Sequence, residues 1–348
     1  MVPTGATMLD INALACLYEQ AAGGWAEVLG ALAQRPLLVV DLDSAGDVGS
    51  LDIPPQLPCV IVGVSRSGAV DGSFSGVDIA LTEADRREIP WVQVADLDVV
   101  LETMTAAARR SPNASVALVQ VLRSGRHDSL EHDLILESLA YSTLQQGPEY
   151  GQWLAARPPA SPPSPGDGVL AVERDGDRLS ISLNRPRVRN AYNGAMRDGL
   201  CEALSVVCAD PSILEVHLFG AGPDFCSGGD LSEFGTLTDP ATAHLVRTTR
   251  SAARLLGIVG DRVVAHLHGA CVGAGVELPA MAGRIVAEPD TRLKLPEVAM
   301  GLIPGAGGTA TLPRRIGRHR TAWLAVTGHF IGAVTARAWG LIDEIVEN

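Results

Sequence analysis

The sequence contains no run of 18 or more apolar residues, so no membrane-spanning helix is expected. Its first twenty residues hold Asp10 and Glu19 but no lysine or arginine. They lack the positive n-region of a secretory signal, and a cytoplasmic location is expected. The six cysteines, at positions 16, 59, 201, 208, 226 and 271, form no CxxC pair, and no histidines cluster at metal-ligand spacing. Reduced thiols and no metal centre are the expectation. Basic, aromatic-rich stretches are missing too, and the net charge is −13. Such a surface repels polyphosphate, which argues against nucleic acid as a partner. An anionic small ligand would need a locally basic site.

What is present is globular material. Hydrophobic residues make up 47% of the 348 positions, enough for a sizeable core and, by length, for two domains. The sharpest break in composition is RPPASPPSPGDG at 157–168. Proline at that density cannot donate backbone hydrogen bonds and favours an extended linker. It divides an N-terminal region, 1–156, from a C-terminal region, 169–348. In the first, 37–43, 59–65, 77–82 and 116–122 read as strands, being short, β-branched and bounded by Gly, Pro or Asp. Helices are expected near 8–33, at 97–110 and at 129–146. The last carries an apolar face of Leu130, Leu134, Leu136, Tyr141 and Leu144, stopped by Gly147-Pro148. After the linker, a hairpin around Asp175-Gly176 leads into alternating helices and strands. The helices fall near 192–208, 240–256, 275–283, 306–315 and 319–327, and the strands at 215–222 and 262–269. The fold class is α/β.

Three segments of the second region could carry chemistry. In Phe225-Cys226-Ser227-Gly228-Gly229-Asp230-Leu231 two glycines after a strand allow a tight turn whose amides point outward and can bind an oxyanion. An ordinary loop with Asp230 capping a helix fits the same residues. In His268-Gly269-Ala270-Cys271-Val272-Gly273-Ala274-Gly275-Val276-Glu277 small residues admit a ligand to the backbone, and a helix start follows. Glu277 in that first turn could equally compensate the helix dipole. In the segment from Leu295 to Thr309, Glu297 lies among apolar neighbours, where burial would raise its pKa; it could also be a surface carboxylate beside a turn. The glycines of this segment do not make a phosphate loop, because the Gly-Lys-Ser/Thr ending is missing.

Taken together, LNRPRVRNAY, FCSGGDL, HGACVGAGVEL, LPEVAMGLIPGAGGT and TGHFIGAVTARAWGLIDEIV resemble the enoyl-CoA hydratase/isomerase (crotonase) family, over Leu183 to Val346. The resemblance implies a crotonase-like ββα superhelix as the core and an acyl-CoA thioester as the substrate. It implies no cofactor beyond the coenzyme A of that substrate, and a homo-oligomer, trimer or hexamer. By motif position the amides of Gly229 and Ala274 would hold the thioester oxygen; alanine stands where the family usually has glycine. Glu277 would deprotonate the attacking water and Glu297 would protonate C2. Arg187, Arg189 and Ser227 would contact coenzyme A. Both acids being retained favours hydratase, with isomerase or another CoA-thioester chemistry as the alternative. A catalytically silent acyl-CoA binding protein is the alternative from another class.

The family usually continues for several helices after the GLIDEIV segment. Here SLEHDLILESLAYSTLQQGPEYGQWLAAR, at 129–157, resembles those C-terminal helices but precedes the core. The expectation is a rearranged order in which residues 97–156 cover the acyl site. The strands at 37–82 would then be remnants of a second core, without a glutamate pair.

Overall fold

The computed structural model describes residues 8–20, 35–44, 51–71, 74–126, 128–158, 168–237 and 239–347. Most of the Pro-rich linker, and the later part of the helix expected near 8–33, lie outside the described residues.

The N-terminal region is built on a parallel sheet whose strands lie side by side in chain order. They are β1 (Met8–Leu9), β2 (Leu37–Asp41), β3 (Val60–Ser65), β4 (Ile79–Thr82) and β5 (Trp91–Gln93). Successive side chains alternate between faces. Leu37 and Val39 join one apolar cluster, while Leu38 and Val40 join another beneath α1 (Ile11–Gln20). Both faces are covered, which is why these strands read as unbroken apolar runs.

Three helices follow on the inner face: α2 (Leu97–Arg110), α3 (Pro112–Ser124) and α4 (Leu130–Leu144), then the shorter α5 (Pro148–Ala155). Asp96 caps α2 by accepting from the amide of Val99. The strand expected at 116–122 is in fact the body of α3. Pro112 starts it, and Ala114, Leu118, Val119, Val121 and Leu122 are all buried. A helix enclosed on most sides loses the polar face that betrays its period, so VALVQVL imitated a strand.

The second correction concerns α4. Of its expected apolar face only Leu144 is fully buried; the helix instead buries Asp133, Glu137, Ser138 and Ser142 and exposes Ile135 and Leu139. Asp133 pairs with Arg314 at 2.8 Å. Arg247 donates to Ser138 and Ser142 and lies over the Tyr141 ring. The expected apolar residues Leu134, Leu136 and Tyr141 pack half-buried against the core, and the polar residues beside them are the ones fully enclosed.

In the C-terminal region the hairpin β6 (Leu170–Asp175) and β7 (Arg178–Leu183) opens the main sheet. Parallel strands β8 (Glu215–Gly220), β9 (Val263–Leu267), β11 (Arg284–Ala287) and β14 (Glu344–Ile345) extend it in chain order. A small sheet of β10 (Ala270–Val272), β12 (Arg292–Lys294) and β13 (Ile331–Gly332) stands beside it. Helix α6 (Gly194–Ala209) follows β7. The helix expected near 240–256 is two, α7 (Pro240–Thr249) and α8 (Ala252–Val259), because Ser251 caps a new start at the amide of Arg254. The single turn α9 (Ala274–Glu277) precedes α10 (Gly308–Thr327) and α11 (Ala333–Ala338). Gly317, at φ 76°, breaks α10 where the sequence suggests two helices.

Just past that break, α10 ties the two regions together. Arg318 donates to the carbonyl of Ser75 at 2.9 Å, and the His319 ring lies 3.0 Å from that of Phe74. Arg320 donates to Trp91 and Arg87 at 3.0 and 2.6 Å. One apolar cluster runs from Leu37 to Ile342, so both regions share a core.

Candidate active site

The site forms where two loops zip together. Cys226 and Cys271 sit opposite each other as an isolated parallel bridge, and the amide of Val272 donates to Cys226 O at 2.9 Å. Asn190, fully buried in a left-handed conformation at φ 54°, braces the loop after β8. Its Nδ2 faces the carbonyls of Ala221, Asp224 and Phe225 at 2.8–3.1 Å, and its Oδ1 accepts from Arg185 N. Arg185 pairs with Asp230 at 2.8 Å, and Asp230 also accepts from Ser232. Asp230 thus fastens the loop to its neighbours.

Both expected oxyanion donors are free. Tyr192 bridges the loop by donating to Gly228 O and accepting from Asp230 N, which turns the intervening N–H of Gly229 the other way. Ala274 is the first residue of α9, so its N–H has no partner within the helix. Among the described residues neither N–H has an acceptor. Gly228, at φ 91°, and Gly273, at φ 50°, occupy backbone conformations that L side chains rarely adopt. A Cβ on Gly273 would lie 3.6 Å from Gly228 Cα, so the two loops touch here.

The two glutamates converge on the same place. Glu297 Oε1 lies 2.5 Å, and Glu277 Oε1 3.7 Å, from where a Cβ on Gly273 would sit. Their environments differ. Glu277, 2% exposed, accepts through Oε2 from the amides of Ala306 and Gly308 at 2.7 and 2.8 Å. Burial pushes its pKa up to about 7, against the pull of those amides. Glu297 Oε2 is buried with no hydrogen-bond partner. Burial first, then repulsion by Glu277, holds Glu297 well above the ordinary carboxylate range. A pair whose pKa values are pushed apart in this way can divide the work of base and acid.

A third carboxylate, not singled out in the sequence, arrives from α4. Glu137, 3% exposed, accepts from Gly307 N, Thr309 N and Thr309 Oγ1 at 2.7, 2.8 and 2.7 Å. Burial and then repulsion by Glu277 raise its pKa to about 8. It lines a cavity of about 170 Å³ together with Tyr192, Arg247 and Gly305–Gly307. A polar stripe at helical spacing, Asp133, Glu137 and Tyr141, is the signal that could have revealed it.

The residues expected to meet coenzyme A gather on the rim of the Gly228 loop. Ser227 Oγ donates to Val188 O at 3.3 Å, and Ser227 N to Arg189 O at 2.9 Å. Arg187 sits in the single exposed turn Pro186–Val188. The Arg189 side chain is 70% exposed, with Asp224 at 3.5 Å. Among the described residues no group of three or more His, Cys, Asp or Glu could hold a metal ion, and no helix is long and apolar enough to cross a membrane.

A crystal structure of an enoyl-CoA hydratase from Mycobacterium smegmatis aligns with TM-score 0.48 and 31% identity, over 52% of this chain and 70% of that one. The family model for enoyl-CoA hydratase/isomerase matches residues 176–348. The 2,3-dehydroadipyl-CoA hydratase of Escherichia coli strain K12 is 33% identical over 51% of this chain and 68% of its own length. The 1,2-epoxyphenylacetyl-CoA isomerase of the same organism is 33% identical over 49% of this chain and 66% of its own length. On the strength of the family model and these relatives, the chain belongs to the enoyl-CoA hydratase/isomerase family.

Proposed function

We propose that the protein adds water across the double bond of a 2-enoyl-CoA thioester. The observation that carries this reading is the convergence of two unequal carboxylates beside two unpartnered amides. The amides of Gly229 and Ala274 would receive the thioester oxygen. Each such donor contributes roughly 2.7–4 kcal/mol when negative charge grows on the oxygen. Glu277, which two amides favour in its ionised form, takes a proton from water as the water oxygen bonds to C3. The double-bond electrons move onto C2 and the thioester oxygen as an enolate. Glu297, whose buried Oε2 has no hydrogen-bond donor, delivers the proton to C2 as the enolate collapses.

Arg187, Arg189 and Ser227 would hold the coenzyme A phosphates and base on the rim, supplying the local positive charge that the acidic protein otherwise lacks. Helices α4 and α5, placed before the core, would serve as the cover of the acyl site. In support of this, α4 delivers Glu137 to the loop that holds Glu277. Gly301 and Gly305 also lie against Tyr150 and Tyr141 of the same two helices.

The relatives include both a hydratase and an isomerase, so the decisive test is the reaction itself. Loss of the conjugated-thioester absorbance of crotonyl-CoA should be catalysed. Glu277→Gln and Glu297→Gln should each lower the rate by roughly 10²–10⁴-fold. Turnover of a 3-enoyl-CoA to the 2-enoyl isomer without water addition would replace hydratase by isomerase. Binding of CoA esters without turnover at several chain lengths would leave a silent binding protein.

A further inference from the structure

Four successive amides at the head of α10 alternate between two acids. Those of Ala306 and Gly308 go to Glu277 Oε2, and those of Gly307 and Thr309 go to the two oxygens of Glu137. One acid ends the single turn α9; the other lies 170 positions earlier in the chain than Gly307. The hydroxyl of Thr309 adds a fifth donor, again to Glu137.

We infer that Glu137 is a positioning residue for Glu277, so that the N-terminal region completes the active site as well as covering it. The inference rests on the reading of Glu277 as the base. An irregular turn containing Gly305, Gly307 and Gly308 has little conformational preference of its own. Glu137 holds it from one side, and the amides on the other side are thereby aimed at Glu277 Oε2. With Oε2 fixed, Oε1 is the oxygen left facing Gly273 and Glu297. A carboxylate is the group this role requires, because it offers acceptors on both oxygens. Glutamine presents an NH₂ at one of them, opposite an N–H or hydroxyl that must donate.

Glu137→Gln should lower kcat for crotonyl-CoA by roughly 10²-fold, the scale of a misplacement of about 1 Å, and leave KM nearly unchanged. Thr309→Val removes one donor and should cost only a few-fold. Leu139→Ser, on the exposed side of the same helix and away from the cavity, reports any general effect on the fold and should change nothing. Hydrogen exchange of the 305–311 backbone, measured on the full chain without substrate, should be slow in the wild type and fast in Glu137→Gln.

Unchanged exchange in Glu137→Gln overturns the clamp whatever the reaction. Fast exchange with an unchanged kcat also overturns it, leaving Glu137 a structural residue of the turn. Fast exchange in a protein with no hydration activity at all sinks the hydratase reading and keeps the clamp.

Discussion

The two large sheets of this molecule are alike in plan and opposite in use. In both, strands are laid side by side in the order in which they occur in the chain. The N-terminal sheet is enclosed on both faces, and the described turn after β2 is closed by its own hydrogen bonds. Asp43, after β2, accepts from both hydroxyls and amides within Ser65–Ser67, and this holds its pKa below the ordinary range despite burial. The C-terminal sheet has one open face, and β7 alternates between exposed and buried residues. Its loops end in amides without acceptors and a carboxylate oxygen without a donor. Strand order therefore supplies the scaffold in both halves. Chemistry belongs to the half whose loops leave polar groups unsatisfied.

The strongest test of that division is at Asp78. It is buried in the N-terminal region, bonded to Arg123 through Nε and Nη2 at 2.8 and 2.5 Å and to the amide of Ile61. Asp78→Ala leaves a buried guanidinium without its counter-ion and should cost about 3–5 kcal/mol in urea denaturation. The kcat of the folded fraction should be unchanged; a fall in it would break the comparison.

Next in size is Gly273→Ala, which places a methyl 2.5 Å from Glu297 Oε1 at a positive φ. A loss of roughly 10²-fold in kcat is expected from steady-state kinetics. Gly68→Ala, at φ 65° against Ala84 in the N-terminal region, should lower the melting temperature alone.

The pH dependence sharpens the contrast further. On the proposed division of labour Glu277 works ionised and Glu297 protonated, so kcat should rise through about pH 7 and fall again at higher pH, where Glu297 ionises. Stability should run the other way. The folded-state pKa values of Glu137 and Glu277, about 8 and 7, lie above the ordinary 4.5. Between those limits the folded protein binds more protons than the unfolded chain, so stability falls as pH rises. A tenfold difference in proton affinity between the folded and unfolded chain corresponds to about 1.4 kcal/mol. Glu297→Gln should therefore melt higher than wild type at pH 8 while being nearly inactive.

The smallest effect is expected on the rim. Arg187→Ala and Arg189→Ala should raise KM for CoA esters several-fold without touching kcat, and added salt should mimic them in the wild type.

The C-terminal candidate site could be read because its parts are local motifs. Alone, the paired glycines, the acid after them and the acid after Leu295-Pro296 each also fit an ordinary loop, a helix turn or a surface carboxylate; their shared order and spacing drew them together. The N-terminal strands at 37–43, 59–65 and 77–82 were legible for the same reason, as β-branched runs between turn formers. What escaped depended on partners distant in the chain. Glu137 sits in a helix whose half-buried apolar residues drew attention first, and its polar neighbours are enclosed by α7 and the head of α10. Helix α3 lost its period to complete enclosure. Strand β5, three residues long, is too short to show alternation. Asn190 could not be recognised as a brace, since its three carbonyl partners belong to the loop after β8.

The clamp at the head of α10 also orders events during synthesis. The acid of α4 leaves the ribosome well before Gly307 and Thr309, and the sheet at 37–93 is finished before the arginines of α10 exist. A nascent chain halted in the 250s would carry a completed sheet and a helix whose carboxylate still faces water. The turn that carries the clamp is made after the sheet and α4, so a protease or chaperone acting on the growing chain meets the scaffold before the candidate site is complete.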